Sequence, residues 1–444
     1  MRFFANVKMD FIMRYSRTLH YIIALTLGFS ASTAFAAEFS ASASQGVELT
    51  DNVHNTKDDE ANEAIYTTSL ETDINHRSRF VDLSLNYTVG HVRHDRHHLD
   101  NTNTVVGSGN ATWYMVPNRI EWFVAEVENY GVVDRRLADT TDNKTQSSTF
   151  STGPKISIPF NPVDSATFDA TYTKSSTDDD SDNESVVSSG SVGWSHLLSQ
   201  TKQFSIEYSK SKTNFDDNDK NTDSGGVSGT LNVETASGSF SIELGRTKLE
   251  MDSGVSTNVN TFDLQYTKNW FSSVLTASAK RELTDTVVPS ISNSFSAAGA
   301  ALIENVDSED TVVRNTLDVG FNRPIFNDLT ILDTSLAYQK QEFQTSRNIQ
   351  RIKSFDINIQ HRLTEHISLN SGYNFQWIKF DFTDTNRIDR EHTFSLGGDY
   401  NISAELSVSL DLDANLRQVG SDTGVDHSNV KKNSLTGSVS YQFL

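Results

Sequence analysis

Leu406-Ser-Val-Ser-Leu-Asp-Leu-Asp-Ala-Asn-Leu-Arg417 is the stretch on which the fold turns. Leu406, Val408, Leu410, Leu412, Ala414 and Leu416 take every second position, and Ser407, Ser409, Asp411, Asp413, Asn415 and Arg417 take the others. A strand projects successive side chains to opposite faces, so this one has a face suited to hydrocarbon and a face suited to water. The pattern recurs along the chain, for example at Val81, Leu83, Leu85 and Tyr87, at Phe204, Ile206 and Tyr208, at Leu317, Val319 and Phe321, and at Phe355, Ile357 and Ile359.

A soluble sandwich alternates in the same way, so the connections decide between the two. Short ones fall at Asn75 to Ser78, Val116 to Asn118, Asn161 to Asp164, Leu198 to Thr201, Glu234 to Ser237, Asn269 to Phe271, Pro324 to Asp328, Thr364 to Glu365 and Ser403 to Glu405. Between them lie longer connections rich in Asp, Asn and Ser, such as Asn52 to Asn62, Val133 to Lys144, Asp178 to Glu184 and Val419 to Val430. Outer-membrane barrels show this asymmetry, with tight periplasmic turns and longer outer loops. The reading is therefore all-β: a transmembrane antiparallel outer-membrane β-barrel of about 20 strands (18 to 22), with both ends in the periplasm. The strand count turns on Leu283 to Asp310, where Ser292 to Leu302 can form a strand of its own or fold inward, and where Ser296 to Ile303 is unusually apolar for an exposed loop.

Tyr, Phe and Trp gather near strand ends, as at Trp113, Trp122, Trp194, Trp270 and Trp377, which suits interfacial girdles. The closing residues Leu435, Val439, Tyr441 and Phe443 share one face. They resemble the C-terminal assembly signal of such barrels, set back one residue by Leu444.

Before the barrel, Arg14 and Arg17, the apolar run Tyr21 to Phe29 and the small-residue site Ala34-Phe35-Ala36 read as an export signal. The expected division is a signal peptide over 1–36 and a barrel over 37–444, placing the protein in the cell outer membrane. After Ala37 no run approaches the roughly 20 apolar residues of a membrane-spanning helix, which excludes a helical membrane protein.

The 444 residues include no cysteine, which removes disulfides, thiolate metal sites and cysteine nucleophiles. A formal charge of -21 argues against nucleic acid as a partner. No G-x-S-x-G elbow, H-E-x-x-H pair or glycine-rich phosphate loop is present, so no enzyme and no cofactor are expected.

The watery face carries more acid than base. Asp82, Asp169, Glu207, Glu243, Asp263, Asp318, Asp333, Asp356, Asp399, Asp411 and Asp413 stand against Lys155, Lys280, Arg362 and Arg417. Lining a pore, they would favour cations or neutral solutes over polyanions. The plainer reading is a wall that only has to be polar. Asp178, Asp180, Asp182 and Glu184 offer weak oxygen sites for a divalent ion, and the run Asp216, Asp217, Asp219, Asp223 lacks the glycine and terminal Glu of an EF-hand. His91, His94, His97 and His98 with Asp95 form the densest histidine patch, but at a strand end their spacing is not that of a metal site, and no metal is expected.

The opening strand Phe39-Ser-Ala-Ser-Ala-Ser-Gln-Gly-Val-Glu-Leu-Thr-Asp-Asn-Val53, with Leu49-Thr-Asp-Asn-Val53 at its outer end, resembles the outer-membrane β-barrel porins encoded in exopolysaccharide operons, including those associated with PEP-CTERM and exosortase systems. The resemblance implies a conduit or accessory channel in exopolysaccharide secretion, working with periplasmic polysaccharide-export proteins. Physical expectations add outer-membrane lipid and lipopolysaccharide around the barrel, and polysaccharide or small hydrophilic solutes within it. A general diffusion porin and a structural or adhesive surface barrel are the competing readings.

Overall fold

The computed structural model describes residues 37–443 except 133–136, 138–139, 179–183, 216–220, 253, 255, 286–310, 327–328, 345, 383–385 and 422–427. The stretch 1–36, read above as an export signal, and most of the 283–310 connection lie outside the described residues. In chain order the strands are β1 (Glu38–Thr50), β2 (Glu63–Arg77), β3 (Val81–His94), β4 (Thr102–Val116), β5 (Ile120–Val132), β6 (Lys144–Pro159), β7 (Asp164–Thr177), β8 (Ser185–Ser199), β9 (Lys202–Phe215) and β10 (Thr222–Thr235). There follow β11 (Gly238–Met251), β12 (Ser256–Trp270), β13 (Ser273–Asp285), β14 (Thr311–Ile325), β15 (Thr330–Phe343), β16 (Ile349–Arg362), β17 (Ile367–Asp381), β18 (Asn386–Asn401), β19 (Leu406–Ser421) and β20 (Ser428–Phe443).

Each strand pairs antiparallel with its neighbours in sequence, and β1 pairs with both β2 and β20. The 20-stranded sheet is thus closed and has no free edge, the one β arrangement that leaves no backbone amide bare in lipid. Strands of 13 to 16 residues rise about 35 to 40 Å at a tilt of about 40°, more than the apolar band of about 25 Å. Their outer ends therefore stand clear of the membrane. At that tilt twenty strands about 4.8 Å apart enclose a cylinder roughly 40 Å across.

Register assigns the faces. Phe39 stands opposite Ile74, Trp113 opposite Trp122 and Leu396 opposite Leu412, and all of these but the half-buried Ile74 are exposed. Exposed apolar rows on a closed sheet are the lipid face, and a slip of one residue in any pair would turn a whole row inward. Trp270, Phe271, Phe326, Tyr400, Tyr441 and Phe443 are exposed at the short-turn end and form an aromatic belt there. Phe271 and Phe326 take left-handed φ of 54° and 53° within their tight turns. Leu435, Val439, Tyr441 and Phe443 all lie on the lipid face, the last two with ring centroids 4.9 Å apart.

Candidate functional site

The opposite face of the sheet is the lumen wall. Register places Glu243 beside Asp263, Asp263 beside Lys280, and Lys155 beside Asp169 on that face. Asp82, Glu207, Asp318, Asp333, Asp356, Asp399, Asp411, Asp413, Arg362 and Arg417 share it, each alternating with the exposed apolar rows. Most of these acids sit in the half nearer the periplasm.

Hydroxyls and amides, rather than bases, hold many of them. Ser335 Oγ donates to Asp356 at 3.0 Å, Ser368 Oγ to Asp399 at 3.2 Å and Ser278 Oγ to Asp318 at 3.3 Å, while the amides of Asn374 and Asn322 reach Asp356 and Asp333. Among the described residues none of these four acids has a lysine or arginine within ion-pair distance. On β16 to β20 the wall becomes a continuous field of Asp, Asn, Ser and Thr. Gly397 sits at its centre: a Cβ there would lie 2.0 Å from Asp411 Oδ1 and 2.1 Å from Asn370 Oδ1. Only glycine lets these two oxygens converge over the sheet.

Toward the outer end the lumen face changes character. Phe215, Leu249, Val259, Val312, Phe343 and Phe380 point inward and are buried, as are Ile352 and Ile378 beside Phe380. Phe382 closes on Phe380 and Phe343 with centroid distances of 5.6 and 6.0 Å. At about 1.5 to 3 kcal/mol for each large apolar side chain taken out of water, this burial stabilises the outer end of the wall. Beside it, Asp389 accepts from Arg387 Nε at 2.6 Å and from Arg417 Nη2 at 2.9 Å. Arg417 Nη1 also donates to the carbonyl of Leu137 at 2.9 Å. Leu137 lies between β5 and β6 in sequence, so it sits across the mouth against β19.

Period-two reading misses these features. Inward apolar residues at strand ends look like a lapse of the pattern, and Asp389 looks like one more wall acid. A second lapse is visible in the sequence: Glu126 and Glu128 fall in the apolar row of Trp122 and Val124. Tyr87 Oη donates to Glu126 at 3.1 Å from a phenol laid over Gly109, where a Cβ would come within 2.9 Å of the hydroxyl. The β4–β5 ladder stops at the Gly107–Glu128 pair. Beyond it the Gln146 side chain, from β6, accepts from the Val105 amide and donates to the Val105 carbonyl, standing in for the missing rungs, and also donates to the Glu128 carboxylate.

Of the weak divalent-ion candidates, Asp180 and Asp182 lie outside the described residues, as do Asp216, Asp217 and Asp219. Glu184 is paired with Lys174 at 2.8 Å. The histidines separate: His91 faces outward and bonds Asn103 at 2.7 Å, His98 meets the ring of His54, and His94 turns inward to donate to Glu63 at 3.1 Å. No group of three or more potential ligands forms among the described residues.

Glu63 stands at the outer end of β2, above the membrane band. Burial pushes its carboxyl up, but the hydrogen bond from His94, those from the Arg96 and His98 amides and the His94 charge together hold it below its ordinary value of 4.5. A lowered carboxyl stabilises the fold above that value and loses the contribution as pH falls through the folded-state pKa. Glu63→Gln should therefore flatten the acid limb, below about pH 4.5, of a thermal-stability profile recorded in detergent. Parallel wild-type and variant profiles would remove Glu63 from this role.

No family model matches the chain, and no curated protein does. Solved structures do. A mutant of the ferric enterobactin receptor PfeA from Pseudomonas aeruginosa is 10% identical, with a TM-score of 0.52 over 93% of this chain and 81% of that one. The protein is an outer-membrane β-barrel. The siderophore receptor PirA from the same organism is 12% identical over 93% and 81% of the two chains, with a TM-score of 0.45. The FrpB iron transporter of Neisseria meningitidis is 8% identical over 91% and 82%, with a TM-score of 0.44. At these identities the likeness is one of fold.

Proposed function

We propose that this outer-membrane barrel is a conduit or accessory channel in exopolysaccharide secretion, passing a neutral or amino-sugar-containing glycan. The observation that carries the reading is the Asp, Asn, Ser and Thr field on β16 to β20, with Asn370 and Asp411 converging over Gly397. Sugars are recognised by such acceptors and amides, and side chains already held by their neighbours cost little ordering entropy on contact. The acid excess favours uncharged or cationic chains and opposes uronic-acid polymers. Cytoplasmic-side machinery and periplasmic export proteins would deliver the chain to the short-turn end. The siderophore receptors share the fold and lend no substrate to this reading.

Reconstituted barrels should show current block by neutral or amino-sugar oligosaccharides, with alginate-type uronate oligomers at least about tenfold weaker, a difference near 1.4 kcal/mol. Equal block by both would overturn the glycan preference. Deleting the gene should abolish surface polysaccharide and leave small-solute uptake unchanged. Intact polysaccharide with reduced uptake would make the protein a diffusion porin, and intact polysaccharide with intact uptake but lost adhesion a surface barrel.

A further inference from the structure

The lipid face is apolar at mid-height, but on β15 to β18 its outer edge is cationic. Lys340 pairs in register with Arg351, and Arg351 with Lys379; one step lower Lys353 pairs with Trp377, and Trp377 with Arg390. Cross-strand partners have Cβ atoms about 5 Å apart, so five cations fall within one patch four strands wide. They lie nine to twelve residues from the periplasmic ends of their strands, which is roughly 25 to 30 Å up the barrel, at the outer edge of the apolar band.

Their fittings favour an external anion. Among the described residues Glu342 and Asp381 are the acids of the patch; Glu342 is in contact with Lys340, and Asp381 with Arg351 and with Lys379 at 3.2 Å. Five cations against two acids among the described residues leave an excess of three, on a chain whose formal charge is -21. Lys353 extends over the Trp377 ring at 4.7 Å and Arg390 is exposed. Below them Leu336 and Phe394 are exposed, with Phe355 between them. An apolar strip under a cationic crown fits an amphiphile whose acyl chains run along the barrel and whose phosphates meet the crown.

We propose that the outward face of β15 to β18 is a binding surface for a phosphorylated glycolipid of the outer leaflet, with Lys353, Lys379 and Arg390 as its phosphate ligands. The site is independent of what passes through the lumen. A loss of phosphates should cost affinity steeply, because each cation near an anionic lipid surface contributes separately.

The test uses the full barrel in neutral detergent, titrated with diphosphoryl lipid A and, in parallel, with the same lipid enzymatically dephosphorylated. Wild type should bind the diphosphoryl form at least about tenfold more tightly, and the preference should shrink between 0.05 and 0.5 M salt, about the range over which screening becomes short. The triple variant Lys353→Gln, Lys379→Gln, Arg390→Gln should bind diphosphoryl lipid A about 100-fold more weakly, with its barrel confirmed by heat-modifiable gel mobility. Equal wild-type affinity for both lipids would overturn the proposal whether or not the variant folds. So would a folded variant with unchanged affinity. Conductance and oligosaccharide block should be unaffected by the triple change, which keeps this result separate from the lumen reading.

Discussion

Neutralising Asp356, Asp399, Asp411 and Asp413 together, each to Asn, is expected to abolish most of the channel's preference for cations. The four lie on β16, β18 and β19 of the lumen face, and Asp356 and Asp399 are held by hydroxyls and amides rather than by bases. Among the described residues no base is bonded to Asp356 or Asp399, and Lys432 lies near Asp413. The reach of their field decides the size of the effect. With a wall-to-wall distance of roughly 40 Å, a charge on the wall is screened well before the axis at 0.15 M salt, where the Debye length is about 8 Å. Wild type should show a cation-to-anion permeability ratio that rises as salt is lowered, and the quadruple variant a ratio at least about threefold smaller at 0.1 M. Reversal potentials across a salt gradient in planar bilayers measure both. Anion selectivity in the wild type would contradict the acidic-lumen reading and, with it, the preference for uncharged glycans. Selectivity that persisted at 1 M, where screening acts within about 3 Å, would instead place the conducting path against the acids themselves.

Asp389→Ala should be the most destabilising of the single changes considered. The Asp389 side chain is only 3% exposed and accepts from both Arg387 and Arg417. Removing it takes away the buried acceptor that both guanidinium groups share. Breaking a buried ion pair by deleting one member costs roughly 3 to 5 kcal/mol, because the remaining charge keeps its desolvation penalty. A urea-unfolding midpoint followed by tryptophan fluorescence should fall accordingly, with Asp389→Asn losing less because it retains one hydrogen-bond acceptor. Arg417 is also the tether to Leu137 across the mouth. The Asp389→Ala barrel should accordingly conduct more noisily than wild type, as the donor held against the Leu137 carbonyl loses its fixed position. An unchanged midpoint would show that the pair is not a structural support of the outer end.

The two lapses of the alternating pattern mark where sequence reading stops being enough. Glu126 and Glu128 look like errors in a lipid-facing row until Tyr87, Gly109 and Gln146 are seen to cover them and replace the interrupted ladder. Phe343 and Phe380 look like lipid-facing residues in the wrong register until they are found packed together inside the mouth. In both cases the local period is obeyed. What changes is the environment that the face meets at that height.

The alternation at Leu406 to Arg417 and its repeats determined the closed antiparallel barrel, its approximate strand number and the face each residue takes. Period two is a property of the backbone itself, and only one face of each strand can meet hydrocarbon. The sequence also set which connections are tight. Height was not in it. Closing twenty strands fixes the shear between neighbours, and only that shear brings Lys340, Arg351 and Lys379 into one row, sets Asn370 and Asp411 on either side of Gly397, and carries Leu137 across the mouth to Arg417. These pairings join residues up to 280 positions apart. Their alignment depends on cumulative register around the whole cylinder, which no local stretch encodes.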